Sequence, residues 1–230
     1  MKPFICGLFV AQCLALLLWA RPVITIAKGA PYELSGGAAV MPKQCLPKKT
    51  STEALGWRWK QGTLVRIFYA KDSFSAAEAL ALSQAVKGWN DALSAINSRI
   101  VFVASPEHER VGNKNASVTV MRGIPRGKER LGEIRFHSIS NGMVQMVLAI
   151  NPDVTDLNAM TSLMTHELGH TLGLADCYEC RRGTTAMAAF KSNNQGNDVY
   201  EPSACDKFVV ASTYAGDTGA QARAIPTVQP

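Results

Sequence analysis

HELGHTLGLAD, residues 166–176, places two histidines four positions apart. On a helix, positions i and i+4 share a face, so His166 and His170 aim two imidazole nitrogens at one ion. Glu167 is turned too far round that helix to ligate easily, yet it stays close enough to take a proton from a water beside the ion. It is the candidate general base. Gly173 follows three residues after His170 and takes a positive φ without steric cost, which ends the helix and turns the chain back. Asp176 comes after that turn as the third candidate ligand. Three protein ligands with one position left for water or substrate describe a catalytic zinc site, whereas a structural site is closed by four.

The context supports a helix here. Asp156 is placed to cap it, and Leu157, Met160, Met164, Leu168 and Leu172 recur at spacings of three and four, the pattern of one buried face. His166 and His170 lie off that stripe. The bland alternative is a pair of histidines on an ordinary helix, each satisfied by hydrogen bonds; glycine, aspartate and helical register together favour a ligand set.

This combination resembles the metzincin metallopeptidases, whose motif HExxHxxGxx is followed by a third ligand and, further on, by a methionine turn. TTAMAAF at 184–190 puts Met187 eleven residues past Asp176, a spacing similar to that of the family. The resemblance implies that the Met187 thioether forms an apolar floor under the ligands; taken alone, Met187 is one of eight methionines and a core filler. Most metzincins carry histidine where this chain has Asp176, and an aspartate there is similar to the snapalysin branch. An anionic third ligand donates more charge to the ion and leaves its water slightly less acidic. His108 and His137 are alternative third ligands, but neither stands at motif spacing. The resemblance, matrixin-like in its general layout, implies one catalytic Zn²⁺. It also implies an α+β fold: a twisted mixed five-stranded sheet with two long helices above the cleft, and the Met-turn and a C-terminal helix below.

Outward from the motif, residues 1–27 begin with Lys2, run apolar from Phe4 to Ala20 and hold no acid, the layout of a secretory signal peptide. The 17-residue run is barely long enough for an uncleaved anchor. Export is the expectation, with no membrane association once the leader is removed. Removal takes away Lys2 and Arg21, so the formal charge falls from +6 to +4. Basic residues are scattered without a stripe or aromatic interleaving, which argues against nucleic acid as a partner.

Cys45, Cys177, Cys180 and Cys205 remain after processing, and an even number in an exported chain favours two disulfides. The preferred pairing ties Cys177 and Cys180 separately to Cys45 and Cys205, with a local Cys177–Cys180 bridge as the alternative. A CxxC redox site is disfavoured because the motif does not follow a strand and open a helix. PKQCLPK around Cys45 looks loosely like the cysteine switch of matrixin propeptides, but its flanking residues match poorly.

Residues 28–60 have little periodicity and read as an N-terminal arm or short pro-segment; 61–215 form the zinc metallopeptidase domain; 216–230 are a loose tail. TLVRIFYA from Thr63 alternates as a strand. Ser75 and Glu78 make a capping box before a helix whose Leu82, Val86, Trp89, Leu93 and Ile96 share a face. Short β-rich runs follow at 100–103, 117–121, 131–137 and 143–150. Residues 132–136 are the candidate edge strand for pairing with a peptide, and a last helix starts near Pro202 or Ser203, with Asp206 in its first turn.

The expected function is a secreted, monomeric zinc metalloendopeptidase acting on protein or peptide with a metal-activated water. The alternatives are a secreted binding protein that zinc merely stabilises, and a zinc hydrolase of a non-peptide substrate.

Overall fold

Alternation in β3 (Leu64–Ala70) buries Val65 and Ile67 and leaves Leu64 at the surface, which sets the first strand of the main sheet on the core. The computed structural model describes residues 24–26, 43–55, 57–59, 61–70, 73–96, 98–107, 118–126, 130–139, 143–189 and 198–214. Around β3 stand β4 (Val101–Glu107), β5 (Val118–Arg122), β6 (Gly132–Ile139) and β7 (Met143–Ile150), in the order β4-β3-β5-β7-β6. Neighbours are parallel except β6, which runs antiparallel to β7 at the sheet's edge. This mixed five-stranded sheet and three helices make an α+β fold, and the strand expected at an edge is at one.

Helix α1 (Ala76–Ala95) starts at the expected capping box. The Glu78 amide donates to Ser75 Oγ at 3.2 Å, and the Ser75 amide donates to Glu78 Oε2 at 2.6 Å. Leu82, Val86, Trp89 and Leu93 are buried, while Ile96 is the C-cap and only partly covered. Glu78 also accepts from Arg122 at 2.7 Å, fastening the start of α1 to the end of β5.

Helix α2 (Leu157–Thr171) is capped by Asp156, whose Oδ1 accepts from the Ala159 amide at 2.7 Å. The expected single apolar face understates its burial. Leu157 is exposed, whereas every residue from Met160 to Gly169 is buried, because α2 lies against both α1 and β6. Its polar residues tolerate this because they find partners. Thr161 and Thr165 donate back to the carbonyls of Leu157 and Thr161, and Ser162 Oγ accepts from the Val199 amide at 3.1 Å. Helix α3 (Ala204–Tyr214) begins just after the expected place. Its start is fixed by Ser203, whose hydroxyl accepts from the Asp206 amide while the Asp206 carboxylate accepts from the Ser203 amide.

The segment before the sheet is more tightly built than its lack of periodicity suggests. A two-stranded antiparallel sheet joins β1 (Ile24–Ile26), inside the stretch read as leader, to β2 (Trp57–Trp59). Trp59 is fully buried and donates through Nε1 to the Thr171 carbonyl at 2.6 Å, while the Tyr214 hydroxyl donates to the Leu172 carbonyl at 3.1 Å. Two carbonyls left over at the end of α2 are thereby satisfied from outside the helix. Residues 53 and 55 hydrogen-bond to the chain after α2: the Leu55 amide to Gly173 O at 2.6 Å, and the Ala175 amide to Glu53 O at 2.8 Å.

The disulfides correct the preferred pairing. Cys45 joins Cys205, and Cys177 joins Cys180. Folding brings each pair to a Cα–Cα distance of 5.3 Å, within the reach of a bridge, and a four-residue turn suffices for the local one. The Cys45–Cys205 bond spans 160 residues, and constraining a loop of that size stabilises the fold by about 5 kcal/mol in the chain-entropy account. Among the described residues no helix is long and apolar enough to cross a membrane. Residues 1–23, His108, Phe190 and the tail at 216–230 lie outside the described residues, as does the side chain of His137.

Candidate metal centre

The end of α2 builds the site. Gly173 has φ +83°, and the amides of Leu174 and Gly173 donate to the carbonyls of Gly169 and His170 at 3.3 and 3.0 Å, closing a Schellman turn. That turn brings the Leu174 carbonyl to His170 Nδ1 at 2.8 Å. His166 Nδ1 lies 2.9 Å from the Ala186 carbonyl. A carbonyl only accepts, so each Nδ1 carries a hydrogen, and Nε2 is the atom that each ring presents to the cleft.

Asp176 meets those two nitrogens. Its Oδ1 is 3.0 Å from His166 Nε2 and 3.6 Å from His170 Nε2. One ligand atom from each of the three residues lies within 4.8 Å of the others. Two nitrogens and one carboxylate oxygen, converging with their outer hydrogen bonds already made, suit a zinc ion in chemistry and spacing. Among the described residues this group has three members, one short of a closed structural site.

Both flanks of Asp176 are pinned. The Ala175 amide is held by Glu53 O, and the Cys177 amide donates to Met187 O at 2.7 Å. Met187 is fully buried beneath α2. A Cβ placed on Gly169 would stand 2.2 Å from the Met187 sulfur and 2.9 Å from Trp89 Cζ2, so a larger residue there would force those side chains to move. The Met187 sulfur thus lies against the helix at the turn that carries both imidazoles. Gly169→Ala is expected to cost about 1–3 kcal/mol, the range for overpacking. It should lower Tm by about 2–4 °C per kcal/mol; an unchanged melting curve would mean that Met187 and Trp89 yield freely.

Outer partners extend the frame. Asp206 is fully buried and accepts from the Ala186 amide at 2.8 Å and from the Thr185 hydroxyl, so α3 grips the residue whose carbonyl orients His166. The Tyr178 hydroxyl donates to Asp176 Oδ2 at 3.1 Å, leaving Oδ1 for the histidine side. Sequence reading placed Asp206 only as a helix-start residue and passed over Tyr178, whose position two residues after Asp176 was its one signal. A cavity of about 290 Å³ lies over the group, lined by Glu167 and Ala189 and, from the edge strand side, by Arg130, Gly132, Glu133 and Phe136.

Glu167 is 5% exposed beside His166, His170 and Asp176. Burial pushes its carboxyl above the ordinary carboxylate range, and the Asp176 charge adds to this against the opposing pull of the histidines. Burial alone would raise Asp176 as well, but hydrogen bonds from His166 and His170 outweigh it and hold that carboxyl far below its ordinary value. Burial lowers His170, and the hydrogen bond to Asp176 with the Glu167 charge overcomes this, so its imidazole is raised.

These shifts set the behaviour of the metal-free chain. A raised His170 contributes stability that is full below the ordinary 6.5 and is lost as pH rises through its folded value. A lowered Asp176 contributes stability that is full above 3.8 and is lost as pH falls. The pair therefore supports the metal-free fold best between those two values. A zinc ion bound here would need His170 neutral and would displace its proton, so affinity should climb by roughly tenfold per pH unit for each proton displaced, levelling above the raised value. Competition against a chromophoric chelator from acid to mildly alkaline pH reads this directly; a flat profile would show that no imidazole proton is displaced.

No protein-family model matches the chain. No curated protein matches it either. Among solved structures the chain is similar to a structure of myroilysin over 70% of its own length and 83% of that chain, at 13% identity and a TM-score of 0.44. A crystal structure of myroilysin is similar over 68% of this chain and 85% of that one, at 13% identity and a TM-score of 0.41.

Proposed function

We propose that this chain is a secreted zinc-dependent metalloendopeptidase that works as a monomer. One observation carries the proposal: one ligand atom from each of His166, His170 and Asp176 lies within 4.8 Å of the others, with the buried Glu167 between the two histidines on the same helix. When bound, zinc supplies Lewis acidity to a water and to the scissile carbonyl.

The protein supplies the rest. Glu167, its carboxyl raised toward the working range of a base, removes a proton from the attacking water and passes it to the leaving amine. His166 and His170, oriented by the carbonyls of Ala186 and Leu174, keep their Nε2 atoms in place through the cycle. The outer edge of β6 borders the cavity and offers backbone groups to an extended peptide, which favours a peptide over a compact substrate. Export accords with the leader-like N-terminus and with two disulfides, bonds that persist in oxidising compartments.

The test is digestion of a broad peptide library by the zinc-loaded full chain, with and without a chelator. Cleavage that stops on chelation and returns with zinc is the expected result. An intact library together with hydrolysis of an ester or amide of another class would replace the peptidase by a different zinc hydrolase.

A further inference from the structure

A second cavity, about 330 Å³, also borders Asp176 and is similar in size to the one over His166, His170 and Asp176. The two are neighbours, since Asp176 and Tyr178 line both. Its outer wall is the turn at residues 46–53, from the segment before the main sheet. That turn is rigid. Lys48 is held at φ 63°, a conformation that residues with side chains seldom adopt. The amides of Lys49 and Thr50 donate to Leu46 O at 3.0 and 2.9 Å, and Thr50 Oγ1 both donates to Gln44 O and accepts from the Leu46 amide. Cys45 ties the turn's root to α3, and the Glu53 carbonyl holds the residue before Asp176.

The wall carries charge. Lys48 Nζ lies 3.8 Å from Glu53 Oε1, both side chains more than half exposed, and an exposed Glu179 stands in the same lining. Apart from Asp176, the lining carries one lysine and two glutamates, a local excess of negative charge.

We infer that this cavity is a subsite of the cleft, in which Glu53 and Glu179 select a positively charged side chain of a peptide running past Asp176 and Tyr178. The inference rests on the peptidase proposal for its substrate class. Exposed ion pairs are weak, so the selection is about two- to fivefold.

The experiment uses fluorescent peptides carrying Lys, Ala or Glu at successive positions on either side of one cleaved bond. The ratio of kcat/KM for Lys over Glu is measured with the zinc-loaded full chain, with Glu53→Gln/Glu179→Gln, and with Glu53→Lys/Glu179→Lys. Binding of the same peptides to zinc-loaded Glu167→Gln, with and without the charge changes, is followed by anisotropy. Lysine should be favoured at one position in both assays, level with glutamate in the glutamine pair and disfavoured in the lysine pair, with the preference fading at high salt. Equal ratios at every position, or a preference that survives charge reversal, overturns the subsite. Charge-selective binding without any hydrolysis keeps the subsite and removes the peptidase assignment.

Discussion

Glu167→Gln is expected to retain zinc and lose about two to four orders of magnitude in turnover, the usual worth of general acid–base catalysis. Retention follows from how the ligands are held. The outer hydrogen bonds of His166 and His170 go to the carbonyls of Ala186 and Leu174, and Asp176 is pinned through its two chain neighbours, so none of the three leans on Glu167. The loss follows because glutamine has nearly the same shape but no basic oxygen. Stability should not fall, since a neutral amide is easier to bury than the carboxylate it replaces at a 5% exposed position. Metal analysis and steady-state kinetics on one preparation give both halves of the result, and normal turnover in the variant would falsify the role assigned to Glu167.

Asp176→Ala is expected to remove the metal rather than the chemistry alone. Changing an outer partner of a ligand commonly costs about 10- to 100-fold in metal affinity, so deleting a ligand should exceed about 100-fold. It also strips two histidines of the carboxylate that lies 3.0 and 3.6 Å from their Nε2 atoms. The loop itself should stay in place, because the amides on either side of residue 176 keep their bonds to Glu53 O and Met187 O. Zinc competition titration checks the affinity, and far-ultraviolet circular dichroism checks the fold. Unchanged affinity would mean that another donor completes the set, with His108 or His137 the first to replace.

Local features of the fold were legible because their causes are local. The capping box at Ser75, the cap at Asp156, the glycine that ends α2 and the alternation in β3 each depend on residues within a few positions. The helical offset of four likewise placed His166 and His170 on one face before any coordinates. What escaped depends on distant parts of the chain. The partners that orient the imidazoles are backbone carbonyls, which every residue has and none advertises. The stretch at residues 43–55 showed no periodicity because its bonds close its own turn or run to the loop after α2 rather than into a helix or strand. Disulfide pairing failed for the same reason: which cysteines meet is decided by how α3 returns to the turn at residue 45. The all-round burial of α2 was hidden by its threonines and serine, which look like a solvent face and instead satisfy each other's neighbourhood.

The bond between Cys45 and Cys205 dictates which fragments proteolysis can liberate. A nick anywhere from residue 46 to residue 204 leaves two pieces that migrate together until a reductant is added. Trimming from the amino-terminal side can shed material only upstream of Cys45, so a product that begins later would still carry the severed arm around Cys45 along.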